Sequence, residues 1–195
     1  SLLITSLGVT LALAGASALA SHSWNNYHWA RTTSSFNLSI VDSVTSVWQP
    51  MFNASVSQWS ASAKLNLVPS QGSETSSSRR RCSAISGKVR VCNSAYGNNG
   101  WLGLASINLD SNGHISQGTA KMNDSYSSSF TTNERYHVMC QEVGHTFGLG
   151  HPSEDGASQS PCMDYSQSPS LTAPNAPASG GLPHLYHRPD ERRGG

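Results

Sequence analysis

The sequence predicts an α+β single domain in which a small twisted mixed sheet carries two main helices. Three observations point there. The chain has 195 residues, enough for one ordinary domain and too few for two independent ones. Short β-type runs are interspersed with two segments of helical period. No internal repeat is present that would suggest a solenoid or propeller. Charged residues make up 12% of the chain and the formal net charge is +1. A usual charged fraction is about 25%. Neither sign is in surplus, so nothing here would steer nucleic acid or an anionic membrane surface. The uncharged polar remainder, mostly Ser, Asn, Gly and Thr, suits an exported domain.

Leu2 to Ala20 is an almost unbroken run of small and apolar residues ending Ala18-Leu19-Ala20 before Ser21. This predicts a signal peptide over residues 1–20 with a small-x-small cleavage site. The run also has the length of a membrane span, which makes a retained anchor the alternative. With the peptide removed, the protein is expected to be secreted, without stable membrane association, and monomeric. Tyr27–Arg31 and Phe36–Val41 read as short strands. From Asp42 the period changes: Val44, Val47, Trp48, Met51, Phe52, Val56 and Trp59 form one apolar helical face. Asp42 or Ser43 is the expected cap, and Pro50 the expected kink. Leu65–Val68 suggests a strand, and the Ser-rich segment 70–81, ending Arg79-Arg80-Arg81, a solvated loop. Val89 and Val91 mark another strand. Trp101–Ile107 and Ile115–Met122 then form an expected hairpin turning near Gly113. A second helix is expected from about Thr132 to Leu149, capped by Thr132 or Asn133. Segment 166–195 holds five of the nine prolines and shows no period, so it is expected to be poorly ordered.

Four cysteines in an exported chain predict two disulfides, for which three pairings exist. The local pairs Cys82–Cys92 and Cys140–Cys162 are preferred, with Gly87 at a turn inside the first. A four-cysteine zinc site is disfavoured because no pair has C-x2-4-C spacing. Asn37, Asn53 and Asn123 each begin an N-x-S triplet, compatible with a secreted glycoprotein.

The chemistry lies in Gln141-Glu142-Val143-Gly144-His145-Thr146-Phe147-Gly148-Leu149-Gly150-His151. Residues four apart share a helix face, so Gln141 and His145 can address the same atom. Gly148 allows a left-handed exit that swings His151 back toward it. Two imidazoles, a third polar ligand and a neighbouring carboxylate describe a Zn2+ site with an open position, where Glu142 takes the proton of a water acidified by the metal.

This segment resembles the metzincin signature H-E-x-x-H-x-x-G-x-x-H at Glu142, His145, Gly148 and His151. Ser160-Pro-Cys-Met163-Asp-Tyr165 resembles the Met-turn that follows it in metzincin-type zinc metalloproteases. The resemblance implies a metzincin-like domain over residues 21–165. It also implies zinc held by Gln141, His145 and His151, with Glu142 as general base. Met163 would form an apolar floor under the metal and Tyr165 a stabiliser of the oxyanion. A peptide or protein substrate would lie along an edge strand at Trp101, Leu102, Gly103 and Leu104. A Cys140–Cys162 bridge would tie the zinc helix to the Met-turn. The departure from the signature is Gln141, which stands where the first histidine belongs. Its amide oxygen is neutral and of similar reach, but a weaker ligand. His137 lies about 12 Å along the helix axis from His145, so it is expected to be a surface or capping histidine instead of a replacement ligand. The expected reaction is hydrolysis of peptide bonds. The alternatives are a catalytically inactive metzincin-like protein with a binding role, and a zinc hydrolase acting on a non-peptide substrate.

Overall fold

A computed structural model describes residues 23–151, 162–163 and 185–186. The expected leader 1–20, Tyr165 and most of the tail lie outside the described residues. Five strands form one sheet: β1 (Phe36–Ser43), β2 (Leu65–Gln71), β3 (Lys88–Ser94), β4 (Gly103–Leu109) and β5 (Ile115–Asn123). Their order is β2-β1-β3-β5-β4; β4 pairs antiparallel with β5 and all other pairs are parallel. The helices are α1 (Gln49–Ser60), the short α2 (Ser76–Arg81) and α3 (Thr132–His145), with a 3-10 turn at Asp124–Tyr126. Helices α1 and α3 pack on each other, α1 over β2 and α3 over β4 and β5. Between them lies the core, with Trp48, Phe52, Trp59, Ile40, Leu65, Met122, Met139 and Phe147 fully or almost fully buried.

Several elements differ from expectation for local reasons. Helix α1 begins at Gln49 because Pro50 sits in its first turn, where the missing N–H is harmless; Pro50 starts the helix and does not kink it. Asp42 lies in β1 and does not cap α1; its carboxylate accepts from Val44 N and from the Gln49 side chain. Segment 70–81 is not a plain loop. It completes β2, with Pro69 tolerated on an edge strand, and then forms α2. The Thr75 side chain caps α2 at Ser78 N, and Arg79, Arg80 and Arg81 fill its last turn, where the helix dipole favours cations. Tyr27–Arg31 is not a strand; only Trp29 makes a bridge there, to Ile115. Helix α3 starts from a capping box on Thr131 and Glu134, and ends at His145.

The tail expectation is corrected at one point. Tyr186 is fully buried, and its hydroxyl accepts from Trp29 N while donating to the Phe147 carbonyl. The Arg31 guanidinium donates to the Tyr186 carbonyl. Aromatic burial plus these three polar contacts outweighs the low-complexity surroundings. Both expected disulfides form, Cys82–Cys92 and Cys140–Cys162.

Asn123 is fully buried at the end of β5. Its oxygen accepts from Tyr96 N and Ser125 N, and its amide donates to the carbonyls of Gly97 and Trp101 and to Asn99 Oδ1. It therefore pins the chain that leads into β4. The fold closes this triplet to glycosylation, whereas Asn37 and Asn53 are exposed. Replacing Asn123 with Ala orphans several buried groups, at about 1–3 kcal/mol for each left unpaired. Asn123→Ala is expected to lower Tm by about 5–10 °C in a thermal melt, given roughly 2–4 °C per kcal/mol for a chain of this size.

Candidate active site

The site is built on the last two turns of α3. Gln141, Glu142 and His145 face a cleft of about 720 Å3 whose opposite wall is β4. Trp101, Leu102, Gly103 and Leu104 all line it, so the expected edge segment and the expected motif are brought together. Among the described strands, β4 is at the edge of the sheet and pairs with β5 alone.

After His145 the chain leaves the helix through Thr146, Phe147 and Gly148, whose N–H groups donate to the carbonyls of residues three back. Gly148 has φ +91°, and a Cβ there would lie 1.7 Å from the Tyr27 carbonyl oxygen. Both facts demand glycine. The exit turn is held by the N-terminal segment: Trp24 N donates to Gly148 O, Ser23 bridges Leu149, and the Trp29 indole donates to Thr146 O. The turn delivers His151, whose Nε2 lies 2.9 Å from His145 Nε2. The other ring nitrogen of His145, Nδ1, is 2.7 Å from the Leu149 carbonyl. A carbonyl can only accept, so Nδ1 carries the proton, and Nε2 of the neutral ring presents a lone pair to the cleft. Burial, together with the neighbouring His151, pushes the His145 pKa down to about 4, so the ring is neutral at pH 7.

Glu142 is buried, and desolvation raises its pKa to about 8 although the Ala105 backbone N–H donates to it. Its carboxyl lies against the backbone of β4. A Cβ on Gly103 would come within 2.5 Å of Glu142 Cγ and 2.7 Å of Oε1. Gly103 is thus a space reserved for the acid. Below the helix, a Cβ on Gly144 would meet Met163 Sδ at 2.4 Å and the Trp59 ring at 2.7 Å. Met163 is buried there beside the Cys140–Cys162 bridge. Tyr165 lies outside the described residues.

Among the described residues, no group of three or more His, Cys, Asp or Glu is placed to hold a metal. Of the donors lining the cleft, the His145 and His151 imidazoles and the Gln141 amide are the expected ligand set. They fit a zinc ion in kind: the Gln141 amide is uncharged, His145 is neutral at pH 7, and the His145 tautomer is fixed by an outer hydrogen bond. Two zinc-bound nitrogens at about 2.0–2.1 Å lie about 3.3 Å apart in a tetrahedron. The observed separation of 2.9 Å is within a few tenths of that.

The cleft residues outside the expected site set include Trp24, Glu134 and His137. His137 is not a surface or capping residue; it is buried on the cleft wall. The signal for it was present, since 137, 141 and 145 are each four apart and share one face. Trp24 had no such signal, because its place depends on pairing of the N-terminal segment with residues 148–149.

No protein-family model and no curated protein sequence matches the chain. Solved structures similar in fold include the following three. Myroilysin superposes with a TM-score of 0.51 over 85% of this chain and 98% of its own, at 11% identity. High choriolytic enzyme 1, a hatching-enzyme zinc protease of the medaka Oryzias latipes, has a TM-score of 0.47, covering 84% and 95% at 9% identity. Archaemetzincin from Archaeoglobus fulgidus, complexed with malonate, has a TM-score of 0.40, covering 75% and 99% at 17% identity. The chain thus shares the fold of myroilysin, a mixed α/β arrangement with a five-stranded, mostly parallel sheet.

Proposed function

We propose that the chain is a secreted zinc metallopeptidase that hydrolyses peptide bonds of an extended peptide or protein substrate. One observation carries the reading. Two imidazole nitrogens converge beside a buried carboxyl, in a cleft walled by an edge strand. Gln141, His145 and His151 would hold the ion. Zinc in that position supplies Lewis acidity toward a carbonyl and lowers the pKa of water.

The protein's own groups then do the following. Glu142 accepts a proton from the attacking water and passes it to the departing amine, a role open to a carboxyl within hydrogen-bond reach of both. A nearby cation favours the ionised form of Glu142, opposing the desolvation that raises its pKa. The free edge of β4 aligns an extended substrate through main-chain hydrogen bonds. Tyr165, two residues beyond Met163, is the proposed stabiliser of the oxyanion. The two disulfides suit an oxidising compartment. Among the described residues, no helix is long and apolar enough to cross a membrane.

A second reading, a non-catalytic metzincin-like binding protein, is favoured by one feature: the third donor is an amide and not an imidazole. Zinc titration and peptide-library cleavage, on the wild type and on Gln141→His, separate the two. The peptidase reading expects stoichiometric zinc and measurable cleavage in the wild type. Gln141→His then binds zinc about 10–100-fold more tightly, the scale on which tuning of a ligand shell acts. Zinc and cleavage only in Gln141→His would instead identify a wild-type scaffold that has lost its chemistry.

A further inference from the structure

The cleft carries a chemical bias that the proposed reaction does not use. Among the described residues six large hydrophobic side chains are exposed, and three of them, Trp24, Leu102 and Leu104, line this one cleft at 40% exposure each. Such clustering marks a recognition surface more than scattered apolar residues do. Among the described lining residues there is no lysine or arginine, and apart from Glu142 the one carboxylate is Glu134. Glu134 is half-buried in the first turn of α3, its carboxylate accepting from Thr131 N at 2.6 Å. Its place is therefore fixed before any ligand arrives, and little side-chain entropy is lost when a cation approaches it.

We propose that the cleft selects an extended peptide segment whose apolar side chains lie against Trp24, Leu102 and Leu104 and whose lysine or arginine side chain reaches Glu134. The proposal rests on the peptidase reading only in taking the occupant to be a peptide. In the metal-free cleft an acidic side chain in the same place meets like charge and no lysine or arginine among the described lining residues. Attraction for Lys and repulsion for Glu at a partly exposed site together amount to about a five- to ten-fold difference in affinity at low salt.

Binding, not turnover, tests this, on Glu142→Gln protein with and without added Zn2+. The probes are fluorescein-labelled octapeptides of alternating Ala and Leu that carry a single Lys scanned through successive positions. A matched set carries Glu instead, and a third has Leu replaced by Ser. Fluorescence anisotropy is expected to find a position where Lys binds about five-fold or more tighter than Glu. That gap should close in Glu134→Gln and shrink in 0.5 M NaCl. Glutamine also serves at the third position of a capping box, so Glu134→Gln removes the charge while keeping the cap, and its Tm should stay within a few degrees. The Ser set should bind about ten-fold more weakly. Equal binding of Lys and Glu peptides at every position, a preference that persists in Glu134→Gln, or equal binding of Leu and Ser sets would overturn the proposal. Failure of the wild type to cleave any peptide overturns the peptidase reading and leaves these binding results standing.

Discussion

Glu142→Gln is expected to abolish peptide hydrolysis while making the metal-free protein more stable at pH 8. The activity loss follows because an amide cannot take a proton from water. General-base catalysis contributes about 10²–10⁴-fold, so the residual rate should fall by at least that factor. The stability gain follows from burial. Desolvation raises the Glu142 pKa from 4.5 to about 8 in the folded protein. Between these values the folded state holds a proton that the unfolded state has released. Stability from this group is therefore complete below pH 4.5, falls through the window, and is gone above about pH 8. Glutamine mimics the protonated acid and does not titrate. In EDTA, wild type and variant should melt alike near pH 5. At pH 8 the variant should melt several degrees higher, as a difference of a few kcal/mol requires. Parallel Tm–pH curves for the two proteins would show that Glu142 is not held in the low-dielectric environment described. A variant that still cleaves would remove it from the chemistry.

Gly148→Ala should unfold the exit turn and disperse the two histidines. The backbone at Gly148 has φ +91°, and the new Cβ would sit 1.7 Å from the Tyr27 carbonyl oxygen, which is backbone and cannot rotate aside. Gly113 supplies the control: its φ is +83°, but a Cβ there meets nothing within 4 Å. Gly113→Ala therefore carries only the conformational penalty, about 1–2 kcal/mol. Gly148→Ala carries that plus displacement of the Ser23–Trp29 segment, which should bring the loss to about 4 kcal/mol or more, in the exceptional range for one substitution. Urea unfolding of the pair measures the difference, and zinc titration should show binding retained in Gly113→Ala and lost in Gly148→Ala. Equal losses of stability would mean that the approach of residue 27 to the turn does not constrain the site.

The contrast between those two glycines also marks what reading the chain could reach. Both read as turn glycines in sequence, Gly148 after the helix and Gly113 in the hairpin, yet one is a free turn and the other is wedged against a segment more than a hundred residues away. Local relations were legible: the four-residue spacing from Gln141 to His145, the hairpin of β4 and β5, and the two short-loop disulfides. Each depends on residues close in the chain, where helix pitch, strand alternation and loop length fix the outcome. Even the misplaced boundaries were local chemistry read incompletely, as with Pro50 in a first turn and Thr131 as the cap.

What only the tertiary structure decided is non-local. The order β2-β1-β3-β5-β4 puts Gly103 against Glu142, and that packing, not the identity of the acid, sets its pKa. Trp24 reaches the cleft through pairing with the exit turn, and Tyr186 enters the core from a stretch whose composition suggests nothing. The sequence by itself determined the donors and their spacing. Only the fold decided which of them are desolvated and what wall they face, because burial is a property of every chain segment that meets at the site.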